Sequence, residues 1–197
     1  PGQRPGPNTI VFDQNGTITV TSPLPDVATG KGDLTIDGSG RTVSVACTNS
    51  KIFIQQSSTT FNLSNLSIGP CTASGGGIAI TSTSATSLSL TNVTVANVHS
   101  NDGGDGGAIN LSGGGLSIAN SSFTSNGTNG TGSGGALALS NIQLPNAASI
   151  VTSNFTSNSA GKNGGAIYLS NATPNATAVQ LTTVTFTLNT AAGNQTQ

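Results

Sequence analysis

The stretch Gly134-Gly135-Ala136-Leu137-Ala138-Leu139 has one close copy 28 residues before it and another 30 residues after it. These copies are Gly106-Gly107-Ala108-Ile109-Asn110-Leu111 and Gly164-Gly165-Ala166-Ile167-Tyr168-Leu169, and a less regular one is Gly76-Gly77-Ile78-Ala79-Ile80. After the glycines, apolar residues occupy alternate positions, which is the pattern of a β-strand. A fixed period of this length is typical of solenoids, in which each repeat packs on its neighbours.

A second strand pattern lies between these copies, in residues 88–95, 116–123, 150–155 and 181–186. Shorter alternating segments precede them, namely Ile18-x-Val20, Leu34-x-Ile36, Val43-x-Val45, Ile52-x-Ile54, Phe61-x-Leu63 and Leu66-x-Ile68. The sequence has no apolar i, i+3, i+4, i+7 spacing of the kind that indicates a helix. We therefore predict an all-β protein.

Two architectures use such strands, the antiparallel sandwich or barrel and the parallel β-helix. In a β-helix, equivalent positions of successive coils stack about 4.8 Å apart, which explains why similar residues recur at the same place in each repeat. We predict a single-domain, right-handed parallel β-helix, a solenoid, because parallel crossovers are overwhelmingly right-handed. The coils are expected over residues 26–197, with residues 1–25 as a proline-rich cap or arm.

The repeats predict which side chains stack. One inward aliphatic column is expected from Ile78, Ile109, Leu137 and Ile167, and a second column from Val95, Phe123, Phe155 and Phe186. Asn92 and Asn120 are expected to form an amide ladder at a corner. The paired glycines are expected where the backbone adopts positive φ or approaches its neighbour closely.

The alternation of Gly-Gly-Ala-(Ile/Leu) with Phe-x-x-Asn resembles the repeat of the polymorphic outer-membrane protein family. The matching segments are residues 106–109, 134–137 and 164–167, together with 123–126, 155–158 and 186–189. The similarity covers about residues 100–190, and residues 9–40 are similar to the opening coils of many secreted microbial β-helix proteins. This resemblance implies a secreted or surface-exposed solenoid with an adhesive or structural role.

The amino-acid composition excludes several classes of function for this protein. Charged residues are 6% of the 197, glutamate is absent, and the net charge is −1, whereas an ordinary domain has roughly 25% charged residues. Nucleic-acid binding and polybasic membrane binding are therefore excluded, and the apolar runs are far shorter than the ~18 residues of a membrane-spanning helix. A surface of Thr, Ser, Asn and Gly is typical of secreted proteins, so we predict an extracellular or cell-surface location.

The two cysteines and the Asn-x-Ser/Thr sequons also bear on whether the protein is extracellular. Cys47 and Cys71 are 24 residues apart, and we expect a disulfide between them, with two buried reduced thiols as the alternative. Asn-x-Ser/Thr sequons, which are candidate glycosylation sites, occur at Asn15, Asn62, Asn65, Asn92, Asn110, Asn120, Asn126, Asn129, Asn154, Asn171, Asn175 and Asn194. The alternative is that Asn and Thr are simply favoured at turns and on strands.

We predict that the protein is not an enzyme and has no catalytic residues, cofactor or metal. Glycoside hydrolysis needs two carboxyl groups flanking the bond, and the nearest grouping, Asp33 and Asp37, contains an Asp-Gly turn. Asp102 and Asp105 are a weak candidate pair for Ca²⁺, although a flexible turn explains them better. His99 is the only histidine, and we expect it in a surface loop.

The chain ends suggest assembly. Prolines cluster near the N-terminus, and the C-terminus has no recognisable cap, so we expect either a segment of a longer passenger or a last coil completed by another molecule. Completion by strand addition generates a head-to-tail homopolymer. The expected contact residues are Thr9, Ile10, Val11, Phe12, Ile18, Val20, Leu181, Val184, Phe186 and Leu188.

The sequence therefore predicts a non-enzymatic, extracellular structural or adhesive protein that assembles end to end into a filament. One alternative is a passenger-domain fragment of an autotransporter-like adhesin that binds a host or neighbouring cell surface. Another is a carbohydrate-binding or polysaccharide-degrading β-helix, which the single tyrosine, Tyr168, and the absence of tryptophan support poorly.

Overall fold

A computed structural model of the chain describes residues 7–27, 32–55, 59–83, 87–142, 148–170 and 179–193. These residues form 22 β-strands and no helix. The strands pair in parallel, and their stacked coils make a β-solenoid of about six turns. The predicted all-β parallel solenoid is confirmed.

The strands follow one another coil by coil. The first two coils contain β1 (Asn8–Val11), β2 (Gly16–Val20), β3 (Leu34–Asp37), β4 (Val43–Cys47) and β5 (Phe53–Gln55). The third and fourth contain β6 (Thr60–Ile68), β7 (Cys71–Ala73), β8 (Ile80–Thr83), β9 (Ser87–Ala96), β10 (Val98–Ser100) and β11 (Ile109–Ser112). The fifth and sixth contain β12 (Gly115–Ala119), β13 (Ser122–Thr124), β14 (Gly127–Thr128), β15 (Leu137–Ser140), β16 (Ala148–Val151), β17 (Asn154–Thr156), β18 (Ser159–Ala160) and β19 (Ile167–Ser170). The last described strands are β20 (Val179–Thr182), β21 (Thr185–Thr187) and β22 (Thr190–Ala191).

Three sheets run along the solenoid. The largest, sheet I, has a first limb in the order β1-β3-β6-β9-β12-β16-β20 and a second limb made of β2, β4, β13, β17, β21 and the later parts of β6 and β9. Sheet II has the order β22-β18-β14-β10-β7, and sheet III has the order β19-β15-β11-β8-β5.

Residues 8–20 already belong to the solenoid, because β1 pairs with β3 and β2 pairs with β4 in register. Solenoid pairing therefore extends into the segment expected as a cap or arm, and the division between residues 25 and 26 stays a prediction. Residues 1–6 lie outside the described part of the chain.

The interior is built from columns of equivalent side chains. Sheet I contributes one column of Ile10, Ile36, Leu63, Leu90, Ile118, Ile150 and Leu181. Its second limb contributes Ile18, Val45, Ile68, Val95, Phe123, Phe155 and Phe186, which confirms the predicted aromatic column. Burying each such side chain stabilises the fold by about 1.5–3 kcal/mol relative to leaving it exposed.

The predicted aliphatic column needs one correction. The residue that pairs with Ile109 is Ile80, not Ile78, and the column on sheet III is Phe53, Ile80, Ile109, Leu137 and Ile167. Because residues 75–77 are all glycine, the sequence allows more than one alignment of this repeat with the other three. In the structure Gly77 takes the place of Gly106, since its N–H donates to the Gly106 carbonyl, and Ile78 is buried at the position of the second glycine.

The two glycines of each pair have different roles. The first adopts positive φ, at 56° for Gly77, 69° for Gly106, 74° for Gly134 and 61° for Gly164, where a side chain is disfavoured. The second passes against neighbouring backbone, because a Cβ on Gly135 would overlap the Gly165 carbonyl and the backbone of Ser159. Both of the predicted reasons for these glycines are confirmed.

Asparagines occupy the corner between the two limbs of sheet I. Asn65, Asn92 and Asn120 have φ of 56°, 56° and 50°, a left-handed conformation that Asn tolerates better than most residues. Asn92 Nδ2 donates to Asn65 Oδ1 over 2.8 Å. An amide bond at this corner therefore links Asn92 to Asn65, one coil earlier; Asn120 takes the same corner conformation, and its predicted stacking with Asn92 stays a prediction.

A second amide ladder lies inside the solenoid, and the sequence did not predict it. Asn126, Asn158 and Asn189 follow the next corner, and Asn126 and Asn158 are fully buried. Asn126 Nδ2 and Asn158 Nδ2 donate to the carbonyls of Val95 and Phe123, each over 2.9 Å, and the Asn126 amide also donates to Asn158 Oδ1. This ladder explains the asparagine of the Phe-x-x-Asn motif, because it bonds backbone groups that the corner leaves unpaired.

Cys47 and Cys71 form the expected disulfide, with a Cα–Cα distance of 4.7 Å. Cys47 ends β4 and Cys71 begins β7, so the bond joins the second coil to the third. The prediction of a disulfide is confirmed.

We expect the double variant Cys47→Ala/Cys71→Ala to lose about 3 kcal/mol of unfolding free energy, because the bond restricts the unfolded chain over its 24-residue separation. Urea titration followed by circular dichroism measures this loss. Dithiothreitol should destabilise the natural protein by a similar amount and leave the double variant unchanged. A loss below about 0.5 kcal/mol would contradict the expectation.

Candidate functional site

Asp37 and Arg41, in the first coils, are hydrogen-bonded to residues of nearby turns. Asp37 Oδ1 accepts hydrogen bonds from Ser39 N (3.0 Å), Ser39 Oγ (2.8 Å), Ser64 Oγ (2.8 Å) and Asn65 Nδ2 (2.8 Å). These bonds, with that from Asn65 the strongest, lower the pKa of Asp37 from 3.8 to about 2. Arg41 donates to the carbonyls of Asp13 and Gly40. Neither residue is placed with a second carboxyl group for acid–base chemistry, which agrees with the predicted turn.

We expect acid to destabilise the protein partly through Asp37. Its folded pKa of about 2 lies below the ordinary 3.8, so its contribution is complete above about pH 4 and is lost as the pH falls from 4 towards 2. Melting curves of the natural protein and of Asp37→Asn should differ at pH 7 and converge near pH 2. A gap that stays constant over this range would contradict the assignment.

The candidate calcium residues are also used by the backbone. Asp102 Oδ1 accepts from Gly75 N (2.7 Å), Ser100 Oγ (3.2 Å) and Gly104 N (3.3 Å), and Asp105 Oδ1 accepts from Ser133 N (2.7 Å). The bond from Gly75 N is the largest cause that lowers the pKa of Asp102. Within the described ranges no three His, Cys, Asp or Glu side chains gather as a metal site. The turn explanation is the one that the geometry supports.

Lys51 links two coils beside a polar groove of about 390 Å³, lined by Pro23, Asn49, Ser50, Lys51, Ala73, Ser74 and Asn101. Its Nζ donates to the Gly75 carbonyl (3.1 Å) and to Thr81 Oγ1 (2.9 Å). Burial lowers the pKa of Lys51, and the nearby Asp102 carboxylate opposes this shift. His99 is half-buried on β10 rather than in a loop as expected, and its burial lowers the pKa of the imidazole.

The exposed apolar side chains are confined to the two ends of the solenoid. Among the described residues, the large hydrophobic side chains that are exposed are Ile10, Val11, Ile18, Leu169, Leu181, Phe186 and Leu188. Five of them, Ile10, Ile18, Leu169, Leu181 and Phe186, end inward columns of side chains, and they are 42–48% exposed. Equivalent residues of the middle coils are buried, because a coil covers them on each side.

The last coils frame an open apolar hollow of about 370 Å³, lined by Ala166, Ile167, Leu169, Val179, Leu181, Phe186 and Asn189. We call this surface the C-terminal face. The opposite surface, presented by β1 and β2 with Ile10 and Ile18, is the N-terminal face. Together they are the strongest candidate functional site among the described residues.

The predicted contact residues divide into three groups. Ile10, Val11, Ile18, Leu181, Phe186 and Leu188 are exposed on these faces, and Thr9 is exposed beside them. Phe12 and Val184 are half-buried against the core, whereas Val20 is buried and cannot contact a partner. Leu169 was missed, because only the tertiary structure shows that its column ends there.

Solenoid geometry explains three of the twelve sequons, those at Asn65, Asn92 and Asn120. Asn65, Asn92 and Asn120 occupy the corner with positive φ, and the residue two positions later in each case, Ser67, Thr94 or Ser122, lies on the second limb of sheet I. A corner asparagine followed by an outward hydroxyl residue therefore produces Asn-x-Ser/Thr without selection for glycosylation.

Asn126 must be removed from the acceptor candidates of the folded protein, because its side chain is fully buried and bonded. Asn171, Asn175 and Asn194 lie outside the described residues. Modification of the remaining sequons stays a prediction.

No helix among the described residues is long and apolar enough to cross a membrane. The disulfide between Cys47 and Cys71 is compatible with a secreted or cell-surface protein. Comparisons of the chain with protein-family models, with curated proteins and with solved structures found no match. The family resemblance therefore stays a prediction, and what the solenoid does must be argued from its own surfaces.

Proposed function

We propose that this chain is a non-enzymatic, extracellular structural protein whose copies stack end to end. The observation that carries the proposal is that, in the described part of the chain, the exposed large apolar side chains lie only on the N-terminal and C-terminal faces. Water-exposed apolar surface at a sheet edge favours pairing with another strand. A second copy of the chain is the occupant that matches both faces.

The two faces match because they end the same columns. Ile10 and Leu181 terminate one column, and Ile18 and Phe186 terminate another. A copy placed about 4.8 Å beyond the last coil sets Ile10 on Leu181 and Ile18 on Phe186 and continues both limbs of sheet I. The strands β1, β2, β20 and β21 contain no ionisable residue, so no charge is buried when they meet.

The corner between the two limbs of sheet I is longer in the first coil than in the last. A long corner and a short corner nevertheless already stack on each other inside the molecule. Eight positions separate Ile10 from Ile18, whereas five separate Leu181 from Phe186. In the second and third coils, nine positions separate Ile36 from Val45 and five separate Leu63 from Ile68. These coils nevertheless pair in register. Because the contact joins different surfaces of each copy and does not close, it generates a filament.

Disulfide trapping tests this junction. Thr17 and Thr185 are exposed in one outward column, so cysteines at both positions face each other across the junction within the ~4.4–6.8 Å Cα separation of disulfides. Oxidised Thr17→Cys/Thr185→Cys should form a ladder of covalent oligomers on a non-reducing gel. Thr17→Cys/Thr94→Cys is the matched control, because Thr94 lies mid-column and no cysteine then faces position 17 across the junction, so this variant should run as a monomer.

Sedimentation of the unmodified chain provides a second measure. Leu181→Asp should reduce the assemblies to monomers, because it places a charge in the apolar junction. A double-cysteine variant that stops at dimers, or a natural chain that stays monomeric at the highest soluble concentration, would overturn the proposal. Either outcome favours the alternative of a longer passenger protein, in which a further coil of the same chain covers the C-terminal face.

A further inference from the structure

Three segments of the chain share the tripeptide Asn-Gly-Thr, at residues 15–17, 126–128 and 129–131. An asparagine before a glycine is prone to cyclise, because the glycine nitrogen reaches the side-chain carbonyl carbon in a five-membered ring and no side chain on glycine blocks the approach. The intrinsic reactivity of the three segments is nearly the same, since the residues that follow each asparagine are identical. A difference in reactivity within the folded protein must therefore come from the structure.

Hydrogen bonds to the backbone hold two of these asparagines. Asn15 Oδ1 accepts from Thr42 N over 2.8 Å, and Gly16 N donates to the Thr42 carbonyl over 3.0 Å. Asn126 is fully buried, and its Oδ1 accepts from Val98 N over 3.1 Å. In both segments the ring can close only after these bonds break, which requires local unfolding.

Asn129 has neither restraint. Its side chain is exposed beside an open groove of about 330 Å³, and the hydrogen bonds of the described residues include none made by this side chain or by the Gly130 N–H. The backbone bonds of Asn129, from its N–H to the Ser100 carbonyl and from Gly132 N to its own carbonyl, involve neither the side-chain carbonyl carbon nor the Gly130 nitrogen. The two reacting atoms are therefore free to approach each other.

A fourth Asn-Gly pair, Asn163-Gly164, lies in a more tightly bonded segment. Asn163 is half-buried. Its carbonyl accepts from Gly134 N over 2.8 Å, and the Gly164 carbonyl accepts from Gly135 N over 3.1 Å. These bonds to the preceding coil fix the backbone on both sides of the peptide that must rotate, so reaction there also requires local unfolding.

We propose that Asn129 is a site of spontaneous deamidation in the folded protein. The Gly130 nitrogen attacks Asn129 Cγ, so that a bond forms between these two atoms and the bond between Cγ and Nδ2 breaks. Nδ2 leaves as ammonia and takes with it the proton from the Gly130 nitrogen. Water then opens the resulting succinimide ring at either carbonyl carbon, which leaves aspartate or isoaspartate at position 129.

The reaction changes both the charge and the modification chemistry of this turn. It replaces a neutral amide by a carboxylate and so adds one negative charge to a chain whose net charge is −1. The isoaspartate product also inserts a methylene group into the backbone. Because a glycan at this sequon would be attached to the same Nδ2 that leaves as ammonia, glycosylation and deamidation of Asn129 exclude each other.

Incubation of the full chain at mildly alkaline pH tests the proposal, with protein produced in bacteria so that no glycan blocks Nδ2. Peptide mapping by mass spectrometry measures the conversion of each asparagine. Asn129 should convert at least about tenfold faster than Asn15, Asn126 and Asn163, a ratio that corresponds to about 1.4 kcal/mol of local unfolding at those sites. In concentrated urea the three Asn-Gly-Thr segments should convert at equal rates, because their structural restraints are gone.

Gly130→Ala is the test variant, and Gly16→Ala is the matched control in the same tripeptide. A Cβ atom at either position has no neighbouring atom closer than 4 Å, and melting curves confirm that both variants fold. The methyl group at position 130 hinders attack by the nitrogen, so Gly130→Ala should slow conversion of Asn129 at least about tenfold. Gly16→Ala should leave that rate unchanged.

Two results would overturn the inference. They are a rate at Asn129 within about tenfold of the rates at the other three sites in the folded chain, and a Gly130→Ala rate within about tenfold of the natural one. The test is independent of end-to-end stacking, because residues 129–132 follow β14 of sheet II and belong to neither end face. Leu181→Asp should therefore remove assembly without changing the rate at Asn129.

Discussion

Gly135→Ala is expected to destabilise the solenoid by about 3 kcal/mol or more. The added methyl group overlaps the Gly165 carbonyl and the backbone of Ser159. Backbone atoms cannot move aside as a flexible side chain can, so the sixth coil must shift away from the fifth. Equilibrium unfolding in urea, monitored by circular dichroism, measures the change.

Gly130→Ala is the matched control for this prediction. Gly130 has φ of 60°, and a Cβ atom added there would have no neighbouring atom closer than 4.0 Å. Its replacement therefore introduces conformational strain without a clash. We expect a loss of about 1–2 kcal/mol there. Comparable losses at the two positions, or an unchanged midpoint for Gly135→Ala, would show that close backbone approach is not what the second glycine provides.

Asn158→Leu is expected to cost about 3 kcal/mol or more, because two or more buried polar groups lose their partners at about 1–3 kcal/mol each. Asn158 Oδ1 accepts from Asn126 N and Asn126 Nδ2, both over 3.0 Å, and its Nδ2 donates to the Phe123 carbonyl over 2.9 Å. Leucine has the same branched shape as asparagine and a larger volume, so a cavity does not account for the loss. Thermal and urea unfolding should both report it.

The control for the ladder is Asn154→Leu. Asn154 is the same residue type on the adjacent β17, but it is exposed on the outer side, and we expect a change within about 0.5 kcal/mol. Amide hydrogen exchange adds a second readout, since the Asn126 N–H should lose protection in Asn158→Leu alone. Unchanged protection there would contradict the proposed role of the ladder.

Parts of the candidate site were predictable and parts were not. The sequence predicted Ile10, Ile18, Leu181 and Phe186 as end contacts, and the structure places all four on the exposed faces. Whether such a residue is exposed depends on the presence of a further coil, which local sequence does not encode. For this reason Val20, which is 4% exposed, was wrongly assigned to the contact surface, and Leu169, which is 42% exposed, was missed.

The sequence by itself determined the parallel solenoid, its aromatic column and its disulfide. A period of two within each strand and a repeat near 30 residues leave few other ways to bury equivalent side chains together. Only the tertiary structure decided that Ile80 pairs with Ile109, that Asn126 points inward, and where the apolar columns meet water. Left-handed corners such as that at Ser125 (φ of 53°) interrupt the alternation, so which side a residue faces after a corner depends on backbone geometry and on the coil that packs against it.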